Sequence, residues 1–98
     1  QPLGAGEERS FAVGAVAGLP LGAISATVTI TATQASASST YLTAWQDGRP
    51  RPGTSDLNAG RGRDQANMAI VGLGGGVIRM YNDMGTTHVL VDVTGYFQ

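Results

Sequence analysis

Three aromatic residues occupy positions where their rings could bind a ligand. Tyr41, Trp45 and Tyr81 each fall opposite the aliphatic positions of segments that alternate between apolar and polar residues. Because side chains of a strand point to its two faces in turn, this spacing predicts rings on the face turned away from the core. Sugar rings present apolar C–H faces that stack on flat aromatic side chains. The three rings are therefore candidates for a carbohydrate-binding platform.

A loop rich in polar side chains follows Trp45 directly. Sugar hydroxyls need planar donors and acceptors, which Asn, Asp, Gln and Arg side chains supply. The loop contributes four candidate carbohydrate-binding residues: Asp47, Arg49, Arg51 and Asn58. A simpler interpretation stays open, because the three rings could instead cover a sheet face or pack under the loop as a second small core.

Residues suited to catalysis or metal binding are scarce, since the chain has one histidine, no cysteine and no lysine. His88 and Asp92 share a face of one predicted strand but stand about 13 Å apart, too far for the hydrogen bond of a Ser-His-Asp triad. Asp47, Asp56 and Asp64 could converge as glycosidase acids or calcium ligands, but loop aspartates commonly bond their own backbone. We therefore expect no enzyme and no cofactor, with calcium as the one ion that stays compatible with the sequence.

Composition indicates one small, soluble, folded domain. The chain has 98 residues, of which 42% are apolar and 13% charged, and a formal net charge of -1. It therefore lacks the broad positive field that binds nucleic acid or an anionic membrane surface. No apolar run approaches the ~20 residues that a membrane-spanning helix needs. We expect neither nucleic acid nor membrane insertion.

The elements that must position the candidate residues show the period of two typical of strands. Six segments are interpreted as strands: residues 9–18, 22–34, 40–46, 67–73, 77–83 and 87–97. Residues 1–8 are interpreted as an N-terminal arm or linker, and residues 47–64, with two prolines and four glycines, as a long ordered loop. The prediction is a single all-β domain over residues 9–98, an antiparallel β-sandwich or flattened barrel of about six to eight short strands.

Four stretches of the chain carry a family resemblance: TYLTAWQDGRPRPGTSDLN, QANMAIVGL, GGGVIRMYND and THVLVDVTGYF. In this order they resemble an accessory domain of secreted actinobacterial proteins, with the motifs R-P-x-x-S-N-L-N, x-x-N-L-V-x-V, G-G-x-V-x-x-Y-N and V-D-V-x-G-Y-F. The resemblance covers roughly residues 9–98. Two positions depart from it, because Asp56 stands where the family usually has Asn and Arg63-Asp64 replace an uncharged pair.

The resemblance implies an exported, non-catalytic domain attached to glycoside hydrolases, proteases or cell-wall enzymes. Together with the rings and the loop, it leads us to expect a secreted carbohydrate-binding module. Its partners would be a polysaccharide or cell-wall glycan and a covalently linked catalytic domain. The alternative is a structural spacer or oligomerisation domain without a ligand. The exposure of Trp45 distinguishes the two, because a ring facing solvent favours binding and a ring buried beneath the loop favours the spacer.

Overall fold

In the computed structural model, which describes residues 1–98, two antiparallel sheets pack against each other. The elements are β1 (Glu7–Phe11), α1 (Val13–Ala17), β2 (Ser25–Thr33), β3 (Thr40–Gln46), β4 (Leu57–Ala59), β5 (Gln65–Gly72), β6 (Ile78–Asn82) and β7 (His88–Phe97). One sheet has the strand order β1-β6-β3-β4 and the other the order β5-β2-β7. The all-β prediction is confirmed, and the seven strands lie within the expected number.

The core lies between the two sheets and follows the alternation seen in the sequence. Ala26, Val28, Ile30 and Ala32 of β2 are at most 1% exposed, whereas the threonines between them are half-buried on the other face. The four-stranded sheet contributes its own buried apolar side chains: Leu42, Ala44, Leu57, Ala59, Ile78 and Met80. Burial of this apolar surface is the main force that holds the sheets together.

The segment predicted as the first strand divides into two elements, β1 and α1. The helix is followed by Gly18, which adopts a left-handed conformation with φ 69°. A Cβ on Gly14 would lie 2.9 Å from the Cα of Gly76, so the turn before β6 approaches the helix backbone closely. Only glycine allows this approach at that position. No helix of the chain has the length and apolar character needed to cross a membrane.

The interpretation of residues 1–8 as an arm or linker is wrong. Leu3 is 1% exposed and belongs to the core. Its backbone exchanges two hydrogen bonds with Thr87, at 2.8 and 3.1 Å. Glu7 and Glu8 are already part of β1 and pair with β6. Leu3 is the one large apolar residue of this segment, and it docks the segment because it fills a place in the core.

The loop predicted for residues 47–64 contains a three-residue strand. β4 pairs with the first half of β3, from Thr40 opposite Ala59 to Leu42 opposite Leu57. The residues before β4, which we call loop 47–56, cross the surface of the four-stranded sheet that faces away from the core. We call that surface the outer face of the sheet, and it carries the candidate site.

Candidate ligand-binding site

The predicted aromatic residues all lie on the outer face of the four-stranded sheet. Tyr41 pairs with Asn58 of β4, and Thr43 pairs with Tyr81 of β6. Because residues of a strand alternate between faces, Tyr41, Thr43 and Trp45 point outward while Leu42 and Ala44 enter the core. The alternation therefore predicted the direction of these side chains correctly.

Trp45 is covered by loop 47–56 and does not face solvent. The residue is only 6% exposed. The indole Nε1 donates a hydrogen bond to the backbone carbonyl of Arg49, with 2.9 Å between the two atoms. The ring is buried and its single polar atom is satisfied, as is usual for a packed tryptophan. This geometry matches the simpler interpretation, and it leaves no face of the indole free to stack on a sugar.

Further contacts fix loop 47–56 to β3. The Thr43 hydroxyl donates to the backbone carbonyl of Thr54 at 2.6 Å. Asp56 extends the pairing just before β4 begins, since its N–H donates to the Leu42 carbonyl and its Oδ2 accepts from the Ala44 N–H, both at 2.8 Å. Asp56 thus has a structural role in positioning the loop, although the sequence showed it only as a departure from a motif.

Tyr41 and Tyr81 form a half-buried pair with ring centroids 6.0 Å apart and planes tilted by 51°. The Arg51 guanidinium lies 3.8 Å from the centroid of the Tyr81 ring, which places a cation over one face of that ring. The Tyr81 hydroxyl donates to Asp83 Oδ1 at 3.2 Å. Burial and this hydrogen bond to Asp83 raise the pKa of Tyr81 above its ordinary value. The phenol therefore stays protonated, and Arg51 covers one face of the Tyr81 ring.

An open polar cleft of about 290 Å³ lies beside this pair. Tyr41 and Thr43 line it from β3, Asn58 lines it from β4, and residues 51–55 form its opposite wall. Of the seven candidate residues, the structure brings three into this cleft: Tyr41, Arg51 and Asn58. The cleft is the only place where several predicted binding residues meet in an accessible cavity.

The other polar candidates, Asp47 and Arg49, lie outside the cleft. Asp47 Oδ1 is 3.6 Å from the Nη1 of Arg79, and the Nε of Arg79 is 3.6 Å from a carboxylate oxygen of Glu8. Glu8 also lies 3.7 Å from the Nη1 of Arg51, so the four charges form a row across the outer face. Such partly exposed ion pairs contribute little, about 0–1 kcal/mol each. Arg49 is exposed and acts through its backbone carbonyl.

The three loop aspartates contact different parts of the fold. Asp47 faces Arg79, Asp56 accepts a backbone N–H of β3, and Asp64 Oδ1 accepts the Gln34 N–H at 3.4 Å. No group of three or more His, Cys, Asp or Glu side chains in the chain is arranged to hold a metal ion. Each of the three aspartates considered from the sequence as a catalytic acid or calcium ligand thus has a contact of its own within the fold.

Asn82 is a buried polar residue whose role the sequence did not reveal. It is 0% exposed, and its Oδ1 accepts from the Thr40 hydroxyl at 2.6 Å. Its Nδ2 contacts four backbone carbonyl oxygens, those of Leu3, Gly4, Met84 and Gly85, at 2.9 to 3.3 Å. A signal was present, because Ile78 and Met80 point inward and the period of two places Asn82 on the same face.

Comparison of the chain with protein families, with curated proteins and with solved structures found no match. The observations that bear on function are therefore the polar cleft, the burial of Trp45 and the motifs of the sequence.

Proposed function

We propose that the chain is a secreted, non-catalytic accessory module that binds a polysaccharide or cell-wall glycan in the polar cleft. The observation that supports this function is the convergence of Tyr41, Arg51 and Asn58 on one open cavity of about 290 Å³. That volume is close to the lower end of the range for ligand pockets, about 300–1,000 Å³. In this role the module holds a covalently linked catalytic domain close to its substrate, and no cofactor takes part.

The cleft offers both hydrogen-bond donors and acceptors to a hydroxyl-rich ligand. The Asn58 amide donates and accepts, the Arg51 guanidinium donates, and the hydroxyls of Thr54 and Ser55 can do either. Loop 47–56 is held by its bonds to Thr43 and Ala44 before a ligand arrives. A wall that is already ordered reduces the entropy lost on binding. In this proposal the glycan binds through hydrogen bonds in the cleft beside Tyr41, and not by stacking on Trp45.

A matched pair of arginine substitutions tests the glycan proposal. Arg51→Met and Arg49→Met remove the same charge two residues apart, but only Arg51 lines the cleft. We expect the wild type and Arg49→Met to be retained on insoluble polysaccharides or peptidoglycan sacculi, and Arg51→Met and Asn58→Ala to be lost into the supernatant. Nuclear magnetic resonance spectra of each variant establish that it is folded. Equal retention of all four proteins would contradict binding in the cleft.

A structural spacer or oligomerisation domain is the second candidate function, and two observations favour it. The burial of Trp45 is the outcome expected for a spacer. In addition, Met68, Ile70 and Leu90 are 66%, 69% and 59% exposed, and all three flank the threonine row of β2 on the outer surface of the three-stranded sheet. Exposed apolar side chains grouped in this way are typical of contact surfaces. Retention of the wild type on no polysaccharide, with a solution mass above that of one chain, would favour this function over glycan binding.

A further inference from the structure

The outer edge of β7 carries backbone groups that have no partner. In an antiparallel sheet, successive residues direct their N–H and C=O groups alternately to the two sides of the strand. Thr87 exchanges both of its backbone bonds with Leu3, on the side away from β2. The same alternation directs the groups of Val89, Val91 and Val93 to that side. β7 pairs with β2 alone, and none of these three valines forms a backbone bond outside the sheet.

An apolar groove of about 390 Å³ runs along this edge, between β7 and α1. Phe11, Val13 and Val16 line one side, and residues 89–93 line the other. Val16 is 88% exposed, although it is large and apolar. Asp92 is the one charged residue that lines the groove. The groove lies beside β1, at the edge of the four-stranded sheet opposite to β4 and the polar cleft, so the two sites can be tested separately.

We propose that this groove binds an extended polypeptide segment, which adds to β7 as a further strand. A row of unpaired N–H and C=O groups is complementary to a polypeptide backbone, whereas a purely apolar ligand would cover these groups without bonding them. Leu3 already pairs with the same edge at Thr87, so the fold itself places an extended backbone there. The apolar lining matches small branched side chains at alternate positions, and Asp92 matches a basic residue opposite it.

Two features favour a short peptide over a second copy of the chain. The unpaired stretch from Val89 to Val93 is five residues long, about 17 Å of strand. β7 itself has ten residues, so antiparallel pairing with another β7 centred on Val91 would run into Leu3 at Thr87. A segment of about five residues avoids this conflict.

At the opposite edge of the same sheet, a side chain caps one outward N–H group and ties the strand to a loop. In β5, Asn67 Oδ1 accepts the outward N–H of Met68 at 3.0 Å. The Nδ2 of the same asparagine donates to the backbone carbonyl of Asp56 at 2.8 Å. Proteins commonly block exposed strand edges against pairing in such ways. No side chain caps the outward N–H groups of Val89, Val91 and Val93 of β7 in this way.

The probe is the peptide acetyl-Val-Lys-Val-Thr-Val-amide, which in antiparallel pairing sets its lysine opposite Asp92. We expect its addition to the labelled full chain to shift the amide resonances of Val89, Val91 and Val93 saturably. N-methylation of the first, third and fifth peptide residues removes the donors that face β7, and we expect affinity to fall at least about tenfold. N-methylation of the second and fourth residues removes donors that face solvent, and we expect affinity to change less than about threefold.

The substitution Val91→Pro removes one outward N–H and no bond to β2, so we expect the folded variant to lose binding. Several results would overturn the proposal. They are equal binding of the two N-methylated peptides, unshifted β7 amides at millimolar peptide, and concentration-dependent self-association that shifts the same amides without peptide. The last result would make a second copy of the chain the occupant. Because the peptides are compared on the wild-type protein, the test stands even if Val91→Pro does not fold.

Discussion

The substitution Asn82→Ala tests how the polar centre of the core supports the fold. The side chain joins β6 to Thr40 of β3, to the N-terminal segment and to the turn before β7. Its two amide hydrogens and one oxygen together supply about three hydrogen bonds, each worth roughly 0.5–1.5 kcal/mol net. Removal also takes the side-chain donor away from the carbonyl oxygens of Met84 and Gly85, so we expect a loss of about 2–4 kcal/mol in the free energy of unfolding. That is a large share of the roughly 5–15 kcal/mol typical of a domain.

Urea denaturation of the full chain measures this loss. Trp45 is the only tryptophan and is buried beneath loop 47–56, so its fluorescence reports unfolding. The matched control is Asn58→Ala, because Asn58 is exposed on β4. We expect that control to change stability by less than about 0.5 kcal/mol. A loss below about 1 kcal/mol for Asn82→Ala would show that water or a shifted backbone replaces the amide, and would refute the expected magnitude.

The substitution Asn82→Asp adds a test with a defined pH dependence. A carboxylate at this position would face the four carbonyl oxygens that the amide now contacts, so ionisation is unfavourable in the folded state. The pKa of the new carboxyl is therefore raised in the folded state. Its stability relative to the wild type should fall as pH rises from about 4, the ordinary pKa of an aspartate, towards neutrality. Constant or rising relative stability over that range would contradict this environment.

Three further substitutions test the cover over Trp45, the close packing of Gly60 against a neighbouring backbone, and the loss of stability at low pH. Trp45→Ala should lower the free energy of unfolding, measured by urea denaturation, by about 3–5 kcal/mol. In the wild type, acrylamide should quench the Trp45 fluorescence only weakly; efficient quenching would mean an exposed ring. Gly60→Ala would place a Cβ against the backbone carbonyl of Ser38, and should lower the free energy of unfolding by about 1–3 kcal/mol. The control Gly53→Ala places its Cβ in open space and should leave stability nearly unchanged. Equal effects of the two substitutions would contradict this packing. The hydrogen bond from the Gly4 N–H lowers the pKa of Glu7 in the folded protein. The ionised Glu7 carboxylate therefore contributes to stability above pH 4.5, and this contribution is lost as pH falls below that value. Glu7→Gln should therefore show a smaller decline in melting temperature in acid than the wild type.

The strands of this fold were predictable because their signal is local. In β2, apolar and hydroxyl residues alternate without interruption, and every alternate residue from Ala26 to Ala32 is buried. Val89, Val91 and Val93 of β7 pack against the same core. In both strands the period of two is set by neighbouring residues, so the sequence was sufficient to identify the face that enters the core.

The N-terminal segment and α1 were not predictable in this way, because distant residues decide them. Leu3 docks through Thr87 and the Asn82 amide, more than seventy residues away. The helical turn at Gly14 depends on the approach of Gly76. In each case the local sequence shows a glycine-rich or polar stretch, and the partner that gives it structure lies elsewhere in the chain.

The candidate site was predictable in part, and Trp45 shows where the limit lies. Alternation determines the face on which a side chain lies, but the exposure of that face depends on what crosses it. The groups that hold the loop over Trp45 and Thr43 are the backbone carbonyls of Arg49 and Thr54, and residue types do not reveal the direction of a carbonyl. Tyr41 lies further from the start of the loop and lines the open cleft instead. The loop that was expected to supply ligand-binding side chains around a tryptophan is therefore the cover of that tryptophan, and of the three predicted rings only that of Tyr41 lines the open cleft.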